Sequence, residues 1–94
     1  MSAASARPTA GARFAVVLAE KGAEKIVYRG FVHLPDTDLP LEVTLDLPEG
    51  KPRALLTGGT PELEKVAAAL IRAATKAELA TGSPLPRKIV RWRS

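Results

Sequence analysis

A chain of 94 residues, 46% hydrophobic and 26% charged, suits a single hydrophobic core, and its modest size leaves little room for an elaborate catalytic cavity. It has no cysteine, which excludes a disulfide framework, a thiolate zinc site, an iron–sulfur cluster and a cysteine nucleophile. The formal net charge of +4 favours anionic partners mildly, since dedicated nucleic-acid binders concentrate their positive charge.

The opening MSAASARPTAGA lacks the apolar core of a secretory signal and is poor in large apolar groups. It reads as a disordered tail over residues 1–12, leaving 13–94 as one domain. No apolar run approaches the ~18 residues of a membrane span, so a cytoplasmic location without membrane contact is expected. The alanine-rich composition suggests a bacterial protein.

RFAVVLAE reads as a strand with apolar residues on both faces, Phe14, Val16 and Leu18 against Ala15, Val17 and Ala19, as suits a position inside a sheet. KGAEK turns the chain around Gly22, and IVYRGFVHL resumes the extended pattern. Ile26, Tyr28, Val32 and Leu34 share one face; Val27, Arg29, Phe31 and His33 share the other. Gly30, in mid-strand, signals a bulge or a close backbone approach. PDTDLP reads as a loop with turn-capping aspartates. LEVTLDL alternates strictly, with Leu41, Val43, Leu45 and Leu47 inward and Glu42, Thr44 and Asp46 outward, so one sheet face should be wet. PEGKP is a further turn, and RALLT a brief fourth strand.

The period then changes. In TPELEKVAAALIRAATKAELATG, Leu63, Val66, Ala67, Leu70, Ile71 and Ala74 fall on one helical stripe. Thr60 suits the N-cap, Pro61 the first helical position, Glu62 and Glu64 the first turn, and Gly82 the left-handed C-terminal position. The resulting order, β-β-β-(β)-α-β, predicts an α+β two-layer sandwich: an antiparallel sheet of four to five strands with one long helix on one face.

The closing PRKIVRWRS alternates Lys88, Val90 and Trp92 with Arg87, Ile89, Arg91 and Arg93. The favoured arrangement buries Val90 and the only tryptophan beneath the helix and turns the arginines to water. In a second, compatible reading Arg91 and Arg93 meet an anionic chain; a third exposes Trp92 for base stacking. Lys65, Arg72 and Lys76 form a basic stripe on the helix, ordinarily a solvated face. In the simplest arrangement the arginines line the sheet face away from the helix, separate from that stripe.

Other motifs carry less chemistry. LTGGTPE lacks the Walker lysine and the dinucleotide GxGxxG, and reads as a turn feeding a capped helix. HLPDTD gathers His33, Asp36 and Asp38, but no second histidine or cysteine exists to complete a metal site and the calcium-loop spacing fails. One histidine must serve every base role, and no serine sits in a GxSxG elbow. A weak enzyme hypothesis would centre on His33 and Asp36.

The expectation is therefore a small non-enzymatic binding or interaction module, without cofactor or metal, acting on an unidentified protein or on a weak homo-oligomer of itself. Its surface would be the polar face of Glu42, Thr44 and Asp46 with any open edge strand. The alternative is nucleic-acid binding through Lys65, Arg72, Lys76, Arg87, Arg91 and Arg93.

Overall fold

A computed structural model of the chain describes residues 11–93. The proposed tail thus lies outside the described residues except for Gly11 and Ala12, and Ala12 already belongs to the first strand.

Five strands, β1 (Ala12–Lys21), β2 (Lys25–His33), β3 (Asp38–Asp46), β4 (Lys51–Leu56) and β5 (Lys88–Arg93), form one sheet in the order β4-β3-β2-β1-β5. Every pairing is antiparallel. A single helix, α1 (Pro61–Thr81), covers one face and carries the chain from one sheet edge to the other. This is the expected α+β two-layer arrangement, with strands and helix in the expected order. Among the described residues, no helix is long and apolar enough to cross a membrane.

The helix ends follow from local chemistry. Thr60 is extended and its hydroxyl accepts from the Leu63 amide, Pro61 opens the first turn, and Gly82, at φ 73°, donates its amide to the Glu78 carbonyl. The core lies between the layers. Phe14 and Val16 from β1, Ile26, Tyr28 and Val32 from β2, and Leu41, Val43 and Leu45 from β3 meet Ala67 and Ile71 of the helix. Thr75 is also buried there, its hydroxyl returned to the Ile71 carbonyl of its own helix.

Gly30 marks a close approach between strands. A Cβ there would run into the Ala15 carbonyl oxygen and stand 2.7 Å from Val16 Cα, so the site accepts only glycine without movement of β1.

Two local expectations are corrected. β3 begins at Asp38 rather than Leu41, because Leu39 and Pro40 already pair with Val32 and Phe31; only residues 34–37 turn, closed by Leu34 N–H to the Thr37 carbonyl. The second correction concerns β5. Its register sets Ile89 beside Val16, Arg91 beside Phe14 and Arg93 beside Ala12, so the arginines share the helix side and Ile89 is the buried residue. Trp92 faces away from the helix and is 55% exposed. The register with β1, which sets Ile89 beside the buried Val16, leaves Trp92 on the side without a covering layer.

Candidate functional site: the open face of the sheet

In an antiparallel sheet, paired residues project to the same side. The helix-free face can therefore be read across the strands in rows. One row, from β4 to β5, is Leu55, Glu42, Arg29, Val17, Lys88. The next is Pro40, Phe31, Ala15, Val90, and the third Asp38, His33, Arg13, Trp92.

This face carries exposed apolar side chains. Val17 (51%), Phe31 (46%), Leu55 (62%) and Trp92 are the large hydrophobic side chains left exposed among the described residues, and all four lie here. Beside the first three the face sinks into an open depression of about 690 Å³ lined by Val17, Phe31, Pro40 and Leu55, and by Ala15 and Gly30, which add almost no side-chain volume. Arg29, Glu42, His33 and Lys88 also line it.

The charges on this face are largely paired within the chain. Arg29 Nε donates to Glu42 Oε2 at 2.7 Å and its Nη2 to Glu20 Oε2 at 3.2 Å; the hydrogen bond to Glu42, above all, raises the guanidinium pKa further. Arg53 forks onto both oxygens of Asp46 at 2.9 and 3.0 Å, and that hydrogen-bonded guanidinium holds the Asp46 carboxyl below the ordinary carboxylate range. These pairs are exposed and add little stability. His33 Nδ1 lies 2.8 Å from Asp38 Oδ1, with its ring stacked on Phe31 at 6.0 Å. The Arg13 guanidinium lies 5.6 Å from the Trp92 ring centroid, a cation–π contact. Among the described residues, Arg13 and Lys88 have no carboxylate partner.

The residues anticipated from the sequence divide between two surfaces. Glu42, Thr44 and Asp46 do lie on the open face. Lys65, Arg72 and Lys76 line the helix. Arg93 shares a small hollow with Lys65, Val66 and Leu70, whereas Arg72 and Lys76 flank the β3–β4 turn at Pro48 and Gly50. Arg91 folds back on its own strand, donating to the Val90 carbonyl, and Arg87 is exposed just before β5. The terminal arginines therefore adjoin the helix instead of lying across the sheet from it, but the basic groups are spread over its two ends. His33 pairs with Asp38 and not with Asp36, which is exposed in the turn. No group of three potential metal-ligating side chains gathers among the described residues.

Sequence reasoning missed this apolar exposure. Its signal was present in β1, apolar on both faces, in a sheet with one helical layer: the second face of β1 had no layer to cover it. No protein family matches this chain, and neither a curated protein nor a solved structure matches it.

Proposed function

We propose that this protein is an interaction module whose docking surface is the open face of the sheet. The observation that carries this reading is the exposure of Val17, Phe31, Leu55 and Trp92 on that one face, the first three lining a depression bordered by charges. Apolar exposure around a hollow marks sites of association. The edges are poorer docking sites: β4 carries Pro52 between Lys51 and Arg53, and β5 carries Lys88, Arg91 and Arg93. Proline and cationic side chains at a sheet edge oppose addition of another strand.

Amine-directed cross-linking in the producing cell, followed by mass spectrometry, tests the reading. Lys88 is expected to cross-link to a polypeptide chain, and Phe31→Glu to abolish those links while leaving the melting temperature nearly unchanged. Absence of cross-links at Lys88, or the same links in the variant, would overturn it.

One observation favours a second reading, single-stranded nucleic acid. Trp92 is open to solvent with Arg13 against its ring, a pairing suited to base stacking beside a phosphate. Titration of a short single-stranded oligonucleotide is then expected to show binding that weakens with salt and is lost in Trp92→Ala. The carboxylates of Asp38 and Glu42 on the same face weigh against it.

A further inference from the structure

Resting on the interaction reading, we infer that the partner at the open face is a second copy of this chain, packed face to face about a two-fold axis. Three features of the face match one another under that symmetry.

The first is shape. Phe31 stands beside Ala15 on the neighbouring strand, and Ala15 and Gly30 line the depression with almost no side-chain volume. A two-fold axis parallel to the strands, running between β1 and β2, lays β1 of one copy over β2 of the other and β5 over β3. Each Phe31 then enters the hollow above the second copy's Ala15, and Val90 lies over Pro40. Bulky and small residues interdigitate across the two sheets as they do in aligned sandwiches.

The second is charge. Within the row Leu55, Glu42, Arg29, Val17, Lys88, the same axis sets Lys88 over Glu42 of the second copy, twice per dimer. Lys88 has no carboxylate in its own chain among the described residues. Arg29 engages only Oε2 of Glu42, leaving Oε1 for the incoming ammonium. Val17 rests on the aliphatic stem of Arg29, whose charge stays tied to Glu20 and Glu42.

The third is area. Four overlapping strands about 4.8 Å apart and some six residues long give a flat footprint of roughly 400 Å², and side-chain relief brings it towards the ~600 Å² per partner at the lower end of specific interfaces. That size fits a reversible dimer rather than an obligate one, whose interfaces are larger.

Sedimentation equilibrium of the full chain across a concentration series is the test, with a charge exchange as its control. Wild type is expected to show a monomer–dimer equilibrium. Lys88→Glu and Glu42→Lys each place like charges together twice, so each alone is expected to dimerise at least about tenfold more weakly. An equimolar mixture of the two variants restores both opposite pairs, and is expected to recover association that neither shows alone. A dimer indifferent to both variants and to Phe31→Glu would overturn the geometry. A strict monomer would overturn self-pairing: if Lys88 cross-links to a different polypeptide and Phe31→Glu abolishes them, the broader interaction reading survives, and if Lys88 cross-links to nothing, both fail.

Discussion

Tyr28 joins the middle of the sheet to the segment that leads into β5. Its ring is fully buried, and its hydroxyl donates to the Pro86 carbonyl oxygen at 2.7 Å. Burial first, and the negative charge of Glu78 second, push the phenol pKa above its ordinary value. In the alkaline range the folded chain therefore keeps a proton that the unfolded chain has lost. This contribution to stability is complete below the ordinary tyrosine pKa and declines as pH rises through the folded one. Tyr28→Phe is expected to cost about 1–2 kcal/mol near neutral pH, because the Pro86 carbonyl loses its donor. It is also expected to flatten the alkaline decline. Urea unfolding at neutral pH and at about pH 10.5 measures both effects, and an unchanged alkaline slope would assign the decline to other groups.

Among the elements, the β1–β2 pair depends most on one residue. Gly30 gives β1 the room it needs, so Gly30→Ala is expected to destabilise the fold by roughly 3 kcal/mol through displacement of the Ala15–Val16 backbone. The shift of the urea midpoint checks this, and a loss below about 1 kcal/mol, the ordinary scale of a surface change, would show that the strand yields freely. The helix was legible in the sequence at both ends, because Thr60, Pro61 and Gly82 act through bonds to their own neighbours. The Gly30 approach was legible too, since a glycine inside a β-branched and aromatic run has few other uses. The sidedness of β5 was not. Alternation separates Ile89 from Val90 and Trp92 but cannot say which set meets the helix; that depends on the register with β1. Ring size favoured burying Trp92, and tertiary placement overrode it. Leu39 and Pro40 were likewise hidden, because proline reads as loop until a partner strand is known.

Across the whole molecule, a net charge of +4 is dispersed rather than gathered. Arg72 and Lys76 sit by the β3–β4 turn, Lys65 and Arg93 at the opposite end, and Arg13 and Lys88 on the face without a helix. The sequence showed that these groups exist and how they alternate; it could not show that they would fall on separate surfaces, which depends on contacts between distant parts of the chain. The apolar exposure of the open face emerged for the same reason, since Val17, Phe31, Leu55 and Trp92 come from four different strands.

The cations and proline along both borders of the sheet bear on how far any assembly of this chain can extend. With strand addition opposed on the left and on the right, a pairing through the open face, as proposed above, would use the one apolar surface that the described residues leave uncovered. Such a pair would close on itself as a particle of fixed size, without the bare edges from which sheets build open-ended filaments.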